Sequence, residues 1–212
     1  MDIIFDLDGT LVDSSSGILQ AIDDAFKHCN VTMKLPLTST LIGPPLNELI
    51  VMLSGTVDRE TLAAISAAFK DNYDSAGYKI TTAFDGVNEL LDHLYKAGHT
   101  LYLATNKRII PTRKIIEYFS WGKYFEEVYA LDLFSHTDSK KDLIAHIINI
   151  HQLDTSNTVY IGDTLADSVA TRANGIYYIM AMWGYDSEMF LDGEIAYTPA
   201  AIIDCINKIG GV

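Results

Sequence analysis

Residues 2–14 read Asp2-Ile3-Ile4-Phe5-Asp6-Leu7-Asp8-Gly9-Thr10-Leu11-Val12-Asp13-Ser14, and the rest of the chain can be placed around them. Ile3, Ile4 and Phe5 make an apolar strand. Asp6 and Asp8 follow two positions apart, and in extended backbone such residues point to the same side. Gly9 and Thr10 come at once, a turn led by a permissive residue. Two carboxylates this close repel each other unless a cation bridges them or one holds a proton through a raised pKa. A hard divalent cation such as Mg2+ takes oxygen ligands. A protonated acid beside an ionised one is a nucleophile and general-acid pair. The plainer reading is a polar strand end that merely caps the next helix, and the remainder of the chain decides between them.

Downstream, Asp13 and Ser14 can cap a helix over about 15–29, with Ile18, Ile22, Ala25, Phe26 and Cys29 at helical spacing. Gly43-Pro44-Pro45 breaks the chain and starts another helix, proline being tolerated in a first turn. A third helix is expected over 58–73, with Leu62, Ile65, Ala68 and Phe69 inward. No strand is expected from residue 13 to about 82. Residues 14–82 therefore read as a small helical domain inserted between 1–13 and 83–212. After it, strands and helices alternate. Asp85 caps a helix over 87–96 that Gly98 ends, and a strand over 99–104 runs into Thr105-Asn106-Lys107. A helix over 112–119 and a short strand near 128–131 come next. Ser139 or Asp138 caps a helix through His151. A strand over 158–161 ends in Gly162-Asp163, a helix over 165–173 stops at Asn174-Gly175, and a strand over 176–182 and a helix over 200–209 close the pattern. Such alternation predicts an α/β fold, a Rossmann-like parallel sheet with helices on both faces. Ligands in such sheets bind beyond the C-terminal ends of the strands.

The whole composition narrows the function. At 212 residues, 49% hydrophobic and 20% charged, the chain suits a globular core with a small second domain. The net charge of −13 argues against nucleic acid and anionic membranes as partners. Cys29 and Cys205 read as reduced thiols, which with the absence of a leader-like N-terminus points to the cytoplasm. No apolar run reaches the roughly 20 residues that span a bilayer. The histidines are scattered without metal-ligand spacing; His136, beside a lysine pair, alone is placed to touch a substrate. Trp121 and Trp183 read as packing residues. Nothing in the pattern specifies an oligomeric state.

At the C-terminal edge of the expected sheet, separated pieces converge. They are Asp6 and Asp8, Thr105 and Asn106, Lys140 or Lys141, and Asp163 with Asp167 one helical turn on. Each has work to do on a phosphate ester. Asp6 can attack phosphorus, while Asp8 gives a proton to the leaving oxygen and later takes one from water. Thr105, Asn106 and backbone N–H groups can hold phosphoryl oxygens, and a lysine can neutralise developing charge. Asp6 and Asp163 can hold Mg2+ with Asp167 in support. A metal and a lysine also reconcile an anionic substrate with an acidic protein.

The set Asp-Leu-Asp-Gly-Thr at 6–10, Leu-Ala-Thr-Asn at 103–106, a lysine before an apolar helix and Gly-Asp-Thr-Leu-Ala-Asp at 162–167 resembles the four motifs of the haloacid dehalogenase-like hydrolases. The insert after the first motif, Ile42 to Leu46 and Met182 to Tyr185 are similar to the phosphoglycolate phosphatase-like branch, where the insert is a cap domain. The resemblance implies Mg2+, an aspartyl-phosphate formed on Asp6, a metal ligand from the Asp8 backbone carbonyl, and Gly9 and Thr10 in support. An acid at position 8 favours ester hydrolysis or phosphomutase chemistry over dehalogenation. Many relatives place proline after the motif lysine; here Ser139-Lys140-Lys141-Asp142 departs from that. The offset to Leu143 and Ile144 favours Lys140, with Lys141 as the alternative. The expected activity is a phosphatase for a small phosphate monoester such as phosphoglycolate, a sugar phosphate or a nucleotide. The alternatives are a phosphomutase of the β-phosphoglucomutase type and a non-catalytic phospho-acceptor or binding module. For a carboxylate-bearing substrate the insert offers Lys27, Lys34, Arg59, Lys70 and Lys79, none clearly aimed inward.

Overall fold

The computed structural model describes residues 1–134, 139–186 and 193–211; His136 and the alternative helix cap Asp138 lie outside them. β1 (Asp2–Phe5) buries Ile3, Ile4 and Phe5 completely, so both of its faces are covered, the mark of a central parallel strand. There follow β2 (Val12–Asp13), α1 (Ser15–His28), α2 (Leu46–Ser54), α3 (Arg59–Ser75) and β3 (Thr82–Ala83). The chain continues through α4 (Val87–Lys96), β4 (Thr100–Thr105), α5 (Ile109–Tyr118), β5 (Phe125–Ala130), α6 (Lys140–His151) and β6 (Thr158–Gly162). It ends with α7 (Leu165–Ala173), β7 (Tyr177–Ala181), β8 (Glu194–Ala196) and α8 (Ala201–Gly210).

Six strands form one sheet in the order β5-β4-β1-β6-β7-β8, and every pairing in it is parallel. Side-chain alternation divides the core in two. Ile3, Phe5, Leu101 and Leu103 face Leu90 of α4, Ile115 of α5 and Ile202 of α8. Ile4, Tyr102 and Tyr160 face Leu143 of α6 and Ala170 of α7. The chain builds outward from β1 on one side through β4 and β5, then returns to build β6, β7 and β8 on the other. Beside β1 is therefore the switch point at which such sheets bind ligands. Phe5 pairs with Leu103 and with Ile161, and Asp6 donates its N–H to the Ile161 carbonyl at 2.9 Å. The ends of β1, β4 and β6 are thus level.

The helices α1 to α3 bury a separate apolar cluster that includes Ile22, Phe26, Ile50, Leu53 and Ile65. In α3, Ile65 and Phe69 are buried as expected, but Leu62 and Ala68 are only half-buried, and Tyr73 completes the inner face. Contrary to expectation, both ends of this segment carry strand. β2 and β3 pair antiparallel, Val12 with Ala83 and Asp13 with Thr82, and two residues each are too few to leave an alternating pattern. Asp85 does not cap α4: Gly86 occupies that position with φ of 88° and makes no side-chain cap bond. α5 starts at Ile109, earlier than expected, with Pro111 in its first turn, where a missing N–H costs nothing. β5 starts earlier too, at Phe125, and the three-residue β8 had no apolar run to announce it. Among the described residues, no helix is long and apolar enough to cross a membrane.

Candidate active site

Asp6 leaves β1 and Asp163 leaves β6, while Asp167 lies in the first turn of α7; all three are buried. One carboxylate oxygen of each lies within 4.8 Å of the others. Burial pushes Asp6 up to about 7, with Lys140 opposing and Asp167 adding to the rise. Burial, reinforced by Asp167 and Asp6, holds Asp163 well above the usual carboxylate range. Lys140 is the cation among them. Its Nζ stands 3.0 Å from Asp6 Oδ1 and 3.0 Å from Asp167 Oδ1. Burial disfavours its charge, but Asp167 and Asp6 more than offset this and raise its pKa. Lys141 is exposed and meets Asn174 only through its backbone carbonyl. Of the two lysines, Lys140 is therefore the one at the carboxylates. Ser139 places it there by capping α6, its Oγ accepting the Asp142 N–H at 3.3 Å.

Other contacts hold this group rigid. Thr164 and Asp167 form a capping box: Thr164 Oγ1 accepts the Asp167 N–H at 3.1 Å and Asp167 Oδ2 accepts the Thr164 N–H at 3.2 Å, with a further bond donated by Thr164 Oγ1 to Asp167 Oδ2 at 2.6 Å. Beneath the lysine lies Tyr160, which sequence reasoning passed over. Its hydroxyl accepts from Lys140 Nζ at 2.9 Å and can donate to the Ala104 carbonyl at 3.0 Å or to Asp167 Oδ1 at 3.3 Å. Gly9 has φ of 80°, and a Cβ there would land on the Asp163 carboxylate. Gly184 is under the same constraint. Asp163 also accepts from Thr10 Oγ1 at 3.2 Å and from the Tyr185 N–H at 2.8 Å. Trp183 packs edge-on against Phe84 and donates Nε1 to the Thr10 carbonyl at 3.0 Å. The stretch 182–185 is thereby tied to the first motif.

The Asp8 carboxylate is held apart from the other three acids. It accepts from Lys107 Nζ at 3.0 and 3.1 Å and from Ser14 Oγ at 2.5 Å. Burial works against the charge on Lys107, and attraction and hydrogen bonding to Asp8 and Tyr73 more than offset it. Of the two residues expected to cap α1, Asp13 supplies the oxygen, accepting from the Ser15 N–H at 2.9 Å. Ser14 makes no capping bond because its hydroxyl is turned to Asp8. Tyr185 joins them, accepting the Ser14 N–H at 2.8 Å and donating to Asp13 Oδ1 at 2.9 Å. Thr105 is buried and accepts the Lys107 N–H at 3.1 Å. Asn106 donates Nδ2 to the Gly43 carbonyl at 2.8 Å, while its Oδ1 has no partner among the described residues.

Asp6, Asp8, Thr105 and Asn106 line one side of a cavity of about 60 Å³; Ile42, Gly43 and Pro44 and side chains of α1, α2 and α3 line the other. Lys27, Lys34, Arg59, Lys70 and Lys79 are all exposed. The cations on the cavity are Lys107 and Arg108, which the sequence reading left unassigned. Their position directly after Thr105-Asn106, at a strand's C-terminal end, was the available signal. Arg108 makes a fork onto Asp74 of α3 at 2.8 and 2.5 Å, and Lys114 donates to the Asp74 carbonyl at 2.6 Å.

Comparison with known proteins follows the same lines. A family model described as haloacid dehalogenase-like hydrolase matches residues 3–181. A 5'-nucleotidase from Pseudomonas aeruginosa is 30% identical over 188 residues, 88% of this chain and 85% of that protein. Tyrosine-protein kinase PtkA from Mycobacterium tuberculosis is 31% identical over 214 residues, 99% of this chain and 72% of that protein. A phosphoglycolate phosphatase from Vibrio parahaemolyticus is 27% identical over 197 residues, 87% of this chain and 84% of that protein. Among solved structures, a hydrolase of the haloacid dehalogenase-like family from Streptococcus pneumoniae superposes with a TM-score of 0.84 at 26% identity, covering 96% of each chain. The chain belongs to the haloacid dehalogenase-like hydrolase family, in its phosphoglycolate phosphatase-like branch.

Proposed function

We propose that this phosphatase is Mg2+-dependent and hydrolyses a small phosphate monoester through an aspartyl-phosphate on Asp6. The observation that carries the reading is the separation of two acids from one motif: Asp6 sits against Lys140 among buried carboxylates, and Asp8 sits apart on Lys107 and Ser14. One acid is placed as nucleophile and the other as proton carrier. The donor set fits Mg2+. Asp6, Asp163 and Asp167 are buried, offer oxygen only and share a single lysine, so a divalent cation would remove their excess negative charge. Asp6, Asp163 and the Asp8 backbone carbonyl would hold the ion, with Asp167 in support. When bound, it supplies positive charge to the phosphoryl oxygens.

In the first step an Asp6 oxygen attacks phosphorus, the ester P–O bond breaks, and Asp8 gives its proton to the departing oxygen. Thr105, Asn106 and Lys140 hold the phosphoryl oxygens, Lys140 balancing charge as it develops. Gly9 leaves room for the Asp163 carboxylate, and Thr10 holds it. In the second step water attacks phosphorus, Asp8 takes its proton and the Asp6–phosphorus bond breaks, returning the carboxylate. Residues 14–82 act as a cap that excludes bulk water during attack and admits it for hydrolysis.

The test is phosphate release from a panel of esters with Mg2+, beside EDTA and an Asp6→Asn variant. The panel includes phosphoglycolate, sugar phosphates, nucleoside monophosphates and a chromogenic aryl phosphate. Release that needs the metal and vanishes in the variant is the expected result. Folded protein that releases phosphate from no ester would contradict it.

A further inference from the structure

Ser14 stands where a helix cap stands, yet its side chain does not cap α1. Its backbone has φ of −103° and ψ of 3°, outside the extended region from which a cap side chain reaches back to the first turn. Two bonds hold it there. Its N–H donates to the Tyr185 hydroxyl at 2.8 Å, and its Oγ donates to Asp8 Oδ1 at 2.5 Å. The Tyr185 hydroxyl in turn donates to Asp13 Oδ1 at 2.9 Å, and that oxygen also takes the Ser15 N–H at 2.9 Å. Asp13 thus does the capping that Ser14 gives up, and one phenol engages both residues.

Tyr185 is itself anchored at two other points. Its ring packs against the apolar cluster of α1 to α3, and its N–H donates to Asp163 Oδ2 at 2.8 Å. Burial, with the Asp8 and Asp13 charges adding to it, keeps the phenol well above the ordinary tyrosine range, so it stays an O–H donor. A phenylalanine would keep the ring and the N–H and lose only the link to Asp13 and Ser14. That link bears on the Asp8 carboxyl. Oδ1 accepts from both Ser14 Oγ and Lys107 Nζ, whereas Oδ2 accepts from Lys107 Nζ alone. Oδ2 is therefore the oxygen with more room for a proton.

We propose that Tyr185 is a positioning residue for the proton carrier: it holds Ser14 with its hydroxyl turned to Asp8, and so fixes which Asp8 oxygen carries the proton. The inference rests on the reading of Asp8 as proton carrier and adds the residue that aims it. Without the phenol, the Ser14 N–H loses this partner and Ser14 can turn into an ordinary cap. Its hydroxyl would then accept an α1 N–H instead of donating to Asp8.

The experiment compares phenyl phosphate with 4-nitrophenyl phosphate, esters of similar shape whose leaving groups differ in their need for a proton. Steady-state kinetics of the full chain with Mg2+ are set beside thermal unfolding, which checks the fold. Tyr185→Phe should lose about tenfold in kcat on phenyl phosphate, a part of what proton transfer contributes, and about twofold on the nitrophenyl ester. Ser14→Ala should show the same selective loss, and the double variant no more than the greater single loss, because both act through one bond. No loss, an equal loss on both esters, or losses that multiply in the double variant would each overturn the inference. Amide hydrogen exchange by NMR supplies a readout without turnover: the Ser14 N–H should exchange about tenfold faster in Tyr185→Phe, with the middle of α1 unchanged. Wild-type protein that releases phosphate from neither ester would remove the phosphatase reading, and the exchange result would then decide the placement of Ser14 alone. Unchanged exchange at Ser14 would overturn that placement whatever the kinetics.

Discussion

At the scale of single residues, the site is a problem of charge kept out of water. Asp6 is raised to about 7 chiefly by burial, so the folded metal-free protein binds a proton that the unfolded chain, near 3.8, gives up. Stability from this group is fully present below the unfolded value and is lost as pH rises through about 7. Asp6→Asn should therefore gain stability over the wild type as metal-free samples are taken from pH 5 to pH 8 in thermal unfolding. Mg2+ should stabilise the wild type more at the higher pH. A flat difference between the two proteins would show that the acid is not held at a cost. Tyr160 makes a second prediction. Tyr160→Phe keeps the ring but removes the hydroxyl under Lys140, so kcat should drop roughly tenfold with KM little changed, at a stability cost of about 1 kcal/mol. Steady-state kinetics beside thermal unfolding separate a positioning effect from a general loosening.

At the scale of elements, the ends of strands and the starts of helices do the placing. Asp167 is fixed because Thr164 caps α7 with it; Thr164→Ala should cost about 1 kcal/mol in unfolding free energy. The same variant should slow turnover if Asp167 supports Lys140 and the metal. This is also the scale at which the sequence was most legible. Apolar runs such as 3–5 and 158–161 marked buried parallel strands, and the rule that ligands gather at their C-terminal ends brought Asp6, Thr105 and Asp163 together. Lys140 could be preferred over Lys141 because its offset to Leu143 and Ile144 is similar to the family pattern. What could not be read depends on three-dimensional contact without local pattern. The two-residue strands β2 and β3 exist only because each meets the other across the chain. Ser14 looks like a helix cap until Asp8 is seen beside it, and Lys107 looks like a loop lysine until Asp8 and Tyr73 surround it.

At the scale of the molecule, three consecutive residues after β4 grip the helical segment at separate points. Asn106 holds the Gly43 carbonyl, Lys107 lies on Tyr73, and Arg108 forks onto Asp74. The turn that offers Thr105 to the phosphoryl group is therefore the turn that fastens α3. Arg108→Met leaves the Asp74 carboxylate with no fork and should cost about 2 kcal/mol. Small-angle scattering of that variant should show a larger radius of gyration than the wild type if residues 14–82 move as a cap. An unchanged radius with reduced stability would make the fork a local strut.

If Asp6 carries the phosphoryl group, the adduct can be trapped. An Asp8→Asn variant retains the nucleophile but lacks the acid that activates water. It would be incubated with Mg2+ and an aryl phosphate, whose leaving group needs little help from an acid, then quenched in acid and digested for mass spectrometry. One phosphoryl group is expected on the peptide containing Asp6, and none when Asp6 is also changed to asparagine. Ester hydrolysis that proceeds in Asp6→Asn, or a phosphoryl group on any other residue, would contradict it.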